Sequence, residues 1–284
     1  MKKYLCFFIF LLSFDVVALG AMTNIEPGIT LYSEYYPNPD ARMKGTIVFI
    51  NGSGSDISVW KSKKLFDCAK KIGSVFLYDR NGLGKSPPDL HLSPDNPITA
   101  QSVSDRLSML LKKRNIQPPY LFIAHSHGAM YASYFTLKNP ALVKGVLLVD
   151  PMPKDCTFSP EAMNKLKKGV NDVQSKPADY IYKTYNKANA EAFYQIAGLD
   201  KTKQSIQQSG DIDNAIPVII LSSSQMEEQH ACIKDWYESQ KLWLNKNTLS
   251  TIIQVPSDHF IQLTKPQLVC DTLKHMLGSE AEIP

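Results

Sequence analysis

The chain has 284 residues, 44% of them hydrophobic and 20% charged, a balance that can bury a large core and excludes disorder, collagen and coiled coil. Lys and Arg number 31 against 27 Asp and Glu, and the +4 excess is spread over short runs such as Lys63-Lys64 and Lys112 to Arg114, which argues against nucleic acid as a partner. Neither Cys-x-x-Cys nor His-x-x-x-His spacing occurs, so nothing in the sequence calls for a metal site.

The first elements belong to a leader. Met1-Lys2-Lys3, the apolar run Tyr4 to Leu12 and the small residues Ala18 and Gly20 have the basic start, apolar middle and small-residue exit of a secretory signal peptide, residues 1–20, cut after Gly20. A retained membrane anchor needs about 20 unbroken apolar residues, and Asp15 interrupts this run. Removing 1–20 leaves 29 basic and 26 acidic side chains, a net +3, and four cysteines. An even count in an exported protein allows two disulfides. The expected mature chain, 21–284, is periplasmic or secreted and meets a membrane only in transit.

Ile29 to Tyr36 is expected to supply one or two antiparallel edge strands. From Gly45 onward, short aliphatic runs at Thr46 to Ile50, Val75 to Tyr78, Tyr120 to Ala124, Gly145 to Val149, Val218 to Leu221 and Thr251 to Val255 alternate with amphipathic stretches. The latter are Val59 to Lys71, Thr99 to Asn115, Ala129 to Lys138 and Pro266 to Leu277. Runs this uniformly apolar suit strands buried on both faces. The alternation predicts an α/β domain, a mostly parallel central sheet flanked by helices. The rhythm breaks between Pro151 and Ala215, where polar stretches at Ser159 to Val173 and Ala178 to Tyr194 predict helices without a strand. These form an inserted helical cap, about 153–215.

His125-Ser126-His127-Gly128 falls between a predicted strand and a predicted helix, so that A-H-S-H-G matches a G-x-S-x-G elbow with Ala124 in the first glycine place. A nucleophilic serine needs this setting. The tight turn lifts its hydroxyl clear of the sheet, and small residues two positions either side prevent a clash. His125 and His127 diverge from Ser126 and are expected to pack or to line a pocket. Asn51-Gly52-Ser53-Gly54 lacks the Lys-Ser/Thr pair of a phosphate loop, and Gly82 and Gly84 lack the third glycine of a nucleotide fingerprint. No cofactor is therefore expected.

Four blocks in this order resemble the α/β-hydrolase superfamily, over nearly all of the chain after about Ile29. Ile47 to Gly54 followed by Trp60 is similar to its oxyanion segment, with Asn51 where many members carry His. Leu77 to Ser86 resembles its D-R-x-G-x-G-x-S stretch, Gly145 to Pro151 the strand after the elbow, and Ser257-Asp258-His259-Phe260 its terminal S-G-H-F. The family includes esterases, lipases, thioesterases, peptidases, dehalogenases, haloperoxidases and hormone receptors, so the resemblance implies the fold more narrowly than the reaction.

A serine hydroxyl needs a base to take its proton, and a histidine titrating near neutrality serves. His259 lies just past the last predicted strand, at the carboxyl edge of the sheet where ligands collect, and the resemblance makes it last in the order Ser, acid, His. His91, His230 and His275 are expected at the surface. The resemblance also implies an oxyanion hole from the backbone N–H groups of Ser53 and His127. For the acid, most members use a position just after the penultimate strand, which here holds Ser223, Ser224, Gln225 and Met226. That leaves Asp150, at the end of the strand after the elbow, favoured over Glu227.

The fold so implied places Cys68 and Cys270 in helices on one face of the sheet and Cys156 and Cys232 at strand ends near the cap, predicting those two disulfides. Tyr180, Tyr182, Tyr185 and Tyr194 either line an acyl pocket or dock the cap, and Trp60, Trp236 and Trp243 are expected in the core. The function expected is an exported serine hydrolase, carboxylesterase- or lipase-like, that cleaves a small carboxylic ester or thioester through an acyl-enzyme. The alternatives are a binding protein or receptor that retains the triad, or a cofactor-free haloperoxidase. A dehalogenase or epoxide hydrolase would carry Asp in place of Ser126.

Overall fold

The computed structural model describes residues 19–226 and 232–278, so the expected leader up to residue 18 and Glu227, Glu228 and His230 lie outside the described residues. An antiparallel pair comes first, β1 (Leu19–Glu26) and β2 (Ile29–Tyr36). Strands and helices then alternate: β3 (Thr46–Ile50), α1 (Lys63–Ile72), β4 (Ser74–Tyr78), α2 (Ala100–Lys113), β5 (Tyr120–His125), α3 (Gly128–Lys138) and β6 (Val143–Val149). Four helices without a strand follow, α4 (Pro160–Ser175), α5 (Ala178–Thr184), α6 (Lys187–Ala197) and α7 (Leu199–Ser209). The alternation resumes with β7 (Val218–Ser223), α8 (Trp236–Gln240), β8 (Thr251–Val255), α9 (Ile261–Thr264) and α10 (Pro266–Met276).

All eight strands form one sheet in the order β1-β2-β4-β3-β5-β6-β7-β8, parallel from β4 to β8. The apolar runs of β3 to β7 follow from burial on both faces, whereas the similar run in β8 lies at the edge of the sheet and buries only Val255 fully. In β3, Ile47 and Phe49 join a core layer with Leu65, Ala69, Val269 and Leu273 of α1 and α10. Val48 and Ile50 point the other way, toward Leu107, Leu110, Tyr131 and Phe135 of α2 and α3. Every central strand therefore presents its carboxyl end to the same rim, where the loops carrying Ser53, Arg80, Ser126, Asp150 and His259 converge.

Three boundaries differ from the sequence-based expectation. Strand β1 begins at Leu19, inside the region assigned to the leader, and pairs Leu19 with Tyr35 and Gly20 with Glu34; as an edge strand that buries only Ile25, it has little apolar periodicity to reveal it. The stretch Ala178 to Tyr194 is two helices, because Asn186 caps a new one by accepting from the Asn189 N–H at 2.8 Å. Helix α7 turns only Leu199, Thr202 and Ile206 fully inward, too few apolar positions to stand out. Both expected disulfides are present, Cys68–Cys270 between α1 and α10 and Cys156–Cys232 beside the cap. Among the described residues no helix is long and apolar enough to cross a membrane.

Candidate active site

Ser126 sits in the turn from β5 to α3 with φ of 51°, a left-handed conformation that costs a non-glycine residue about 1–3 kcal/mol and persists only where the surroundings enforce it. They do so here. A Cβ on Gly128 would stand 2.5 Å from the Asn51 carbonyl oxygen and 2.9 Å from that of Ile50, so the elbow is pressed onto the end of β3. The Ser126 N–H donates to Val149 O at 3.1 Å and its carbonyl accepts from Met152 N at 3.1 Å. Ala124, in the first small position, is fully buried.

The hydroxyl Oγ lies 2.8 Å from His259 Nε2, and His259 Nδ1 lies 2.6 Å from Asp150 Oδ2. The second oxygen of the buried Asp150 accepts three further bonds, from Ser223 N at 3.0 Å, Trp236 Nε1 at 2.9 Å and Gln240 Nε2 at 3.0 Å. Strand β7 separates β6 from β8, so His259 must reach back across the end of β7. The serines there allow it: Ser223 Oγ donates to Ser257 O at 2.6 Å. Asp150 thus reaches His259 across a rim left free of a longer side chain, and Glu227 lies outside the described residues.

The loop after β3 lies against Ser126. A Cβ on Gly52 would be 3.1 Å from Ser126 Cβ and 2.6 Å from His125 Nδ1. Asn51 anchors it, donating from Nδ2 to Tyr78 O at 3.1 Å and accepting from Trp60 Nε1 at 2.8 Å. Arg80 donates to both Asn51 O and Gly52 O at 2.6 Å. Among the described residues, neither the Ser53 N–H nor the His127 N–H has a protein acceptor, so both expected donors are available beside Ser126.

The flanking histidines are packing groups. His125 is buried against Trp60, His259 and Phe260, and burial, with the nearby His259, holds its pKa well below the ordinary value. Burial and then Arg80 push His127 down to about 3. Both rings are therefore neutral at pH 7 and unsuited to cycling through imidazolium.

Residues 45–181 match a family model described as the alpha/beta hydrolase fold. Sequence match and structure together give the chain the α/β-hydrolase fold. An uncharacterised Bacillus subtilis protein, YqjL, is 28% identical over 228 residues, 79% of this chain and 80% of that one. Among solved structures, the haloalkane dehalogenase DatA of Agrobacterium tumefaciens superposes with a TM-score of 0.65 at 16% identity, covering 92% of this chain and 96% of its own. The carboxylesterase CesB of Bacillus subtilis does so with a TM-score of 0.61 at 13% identity, covering 93% and 92%. At such identities these neighbours show the shared α/β-hydrolase fold alone.

Several site residues escape a reading of the α/β-hydrolase motifs. The three tryptophans are buried as expected, but each also donates a hydrogen bond to the site framework: Trp60 to Asn51, Trp236 to Asp150 and Trp243 to Met152 O at 2.9 Å. Tyr182 presses on Gly82 and stacks near the buried Tyr194, which docks the cap. Tyr185 bonds Asp172 within it, and Tyr180 is exposed. Glu191 forms a buried pair with Arg80 at 2.6 Å. Its signal is a single charge in the run Ala188 to Ala197.

Proposed function

We propose that this chain is an exported serine hydrolase that cleaves a carboxylic ester or thioester through an acyl-enzyme. The observation that carries the reading is the continuous relay from Ser126 Oγ through both nitrogens of His259 to Asp150, at 2.8 and 2.6 Å. Ser126 Oγ attacks the substrate carbonyl carbon while His259 Nε2 takes its proton, and the new oxyanion accepts from the Ser53 and His127 N–H groups. His259 then protonates the departing alkoxide or thiolate, which leaves the acyl group on Ser126. In the second half His259 deprotonates a water, the water attacks the acyl carbon, and the acid is released as Ser126 regains its proton. Asp150 fixes the tautomer and offsets the imidazolium charge throughout. No step calls for a metal or cofactor.

Export rests on the first 20 residues and is consistent with two disulfides. A fluorophosphonate probe tests the chemistry: mass spectrometry should place the adduct on the peptide containing Ser126, with turnover of p-nitrophenyl esters abolished in parallel. Labelling of Ser126→Ala at the wild-type rate would sink the assignment.

A further inference from the structure

Cap helix α6 turns one face toward the loop 51–54. Ala188, Glu191 and Gln195 stand at i, i+3 and i+7, the spacing of neighbours along one side of a helix, and each meets a different part of the loop. A Cβ on Gly54, whose φ is 67°, would lie 2.8 Å from Ala188 Cβ, so only glycine lets the loop come this close. The Gly54 N–H donates to Glu191 Oε2 at 2.7 Å. Ser53 Oγ donates to Gln195 Oε1 at 2.5 Å, and Gln195 Nε2 donates in turn to the Tyr131 hydroxyl of α3 at 2.9 Å.

Arg80 joins these contacts to the chemistry. Its guanidinium is buried, pairs with Glu191 through Nε at 2.6 Å and Nη2 at 3.0 Å, and grips Gly52 O through Nη2 at 2.6 Å. A trans peptide is planar, so its C=O and the following N–H point in opposite directions. Holding Gly52 O toward Arg80 therefore fixes the direction of the Ser53 N–H, on the other side of the same peptide. The chain of control runs from Glu191 to Arg80, to Gly52 O, and so to the oxyanion donor.

We propose that α6 positions the oxyanion hole: Glu191 and Gln195 hold the loop 51–54 in its working geometry, so the hole is assembled only while the cap is seated. This rests on the serine-hydrolase reading above. Both are positioning residues, since neither touches the reacting atoms. Substrates that let the cap seat are processed fast, and those that hold it away meet a serine and base without a formed hole.

A matched pair of p-nitrophenyl ester and thionoester separates positioning from simple stabilisation. Sulfur accepts hydrogen bonds poorly, so the oxo-to-thiono rate ratio reports on the hole. A loss of folded enzyme lowers both rates alike. With active sites counted by burst titration, Glu191→Gln should lower kcat on the ester about 10- to 100-fold with KM within about threefold, and lower the thionoester rate far less, because the lost interaction is one made in the transition state. Gln195→Ala leaves the ion pair in place and decides the matter if Glu191→Gln does not fold. It should cost about three- to tenfold on the ester, and Ser53→Ala, Gln195→Ala and the double variant should lose similar amounts, as partners in one contact do. An unchanged ratio in variants of an active wild type would overturn this proposal alone. A wild type no faster than Ser126→Ala on either substrate would remove the hydrolase reading, and this proposal with it.

Discussion

Asp150 carries its carboxylate into a fully buried position, and four donors meet it there: His259, Ser223 N, Trp236 and Gln240. An unpartnered charge at that depth would cost several kcal/mol, so the donors are a condition for placing an acid there at all. Asparagine at 150 presents an amide that can hold the imidazole in the wrong tautomer, and Asp150→Asn should lower kcat by up to about 10⁴ while leaving KM nearly intact. Trp236→Phe removes one donor and keeps an aromatic ring, though a smaller one; a fall in kcat of roughly tenfold is expected from a hydrogen bond to a charged group worth about 1.5–3 kcal/mol. Steady-state kinetics of both variants checks this, and a normal rate for Asp150→Asn would move the acid to Glu227. A strand or a motif block marks Ser126 and His259 in the sequence, whereas Asp150 is only favoured there over Glu227; the structure brings all three side chains into one hydrogen-bonded line. The donors around Asp150 were not legible in the sequence, since Trp236 and Gln240 come from a five-residue helix whose pattern says only that the tryptophan is buried.

At the scale of elements, that short helix α8 hangs on a crosslink. Cys232 joins Cys156 just before it, supported by the Ile233 N–H on Thr157 O at 2.8 Å and the Lys234–Asp155 pair. The loop closed is 76 residues long, and by chain entropy the bond contributes about 4 kcal/mol. The Cys68–Cys270 bond ties α1 to α10 on the sheet face away from the cap. Replacing either pair with serine should lower the Tm by on the order of 10 °C. The two variants part company in activity: with sites counted by titration, kcat should fall in the Cys156/Cys232 variant, whose α8 donors slacken, and hold in the Cys68/Cys270 variant. Equal kcat values would separate the crosslink from Asp150. The central strands were legible nearly to the residue because burial on both faces leaves unbroken apolar runs. Strand β1 and helix α7 were not, since one buries a single side chain fully and the other is largely Lys, Gln and Ser on its solvent face.

The molecule as a whole keeps two imidazoles neutral in its interior. Their folded pKa values lie below the ordinary 6.5, that of His127 at about 3. Above pH 6.5 neither state binds the proton and stability is unaffected. Below it the unfolded chain takes up protons that the folded chain refuses, so stability falls with pH, by about 1.4 kcal/mol per unit for each histidine. Urea denaturation between pH 6.5 and 5, above the carboxylate range, should show a slope near two protons, reduced to about one in His127→Gln. A flat profile over that interval would contradict burial of the neutral rings. The Arg80–Glu191 pair spans the same interior on a larger scale. By topology the cap is one insertion between β6 and β7, a segment that could be traded for another without touching the sheet. Arg80 forbids a free exchange, because a replacement without a carboxylate at 191 would leave its guanidinium buried without a counter-charge, at about 3–5 kcal/mol. A cap exchanged onto this core must therefore bring its own counter-charge for Arg80.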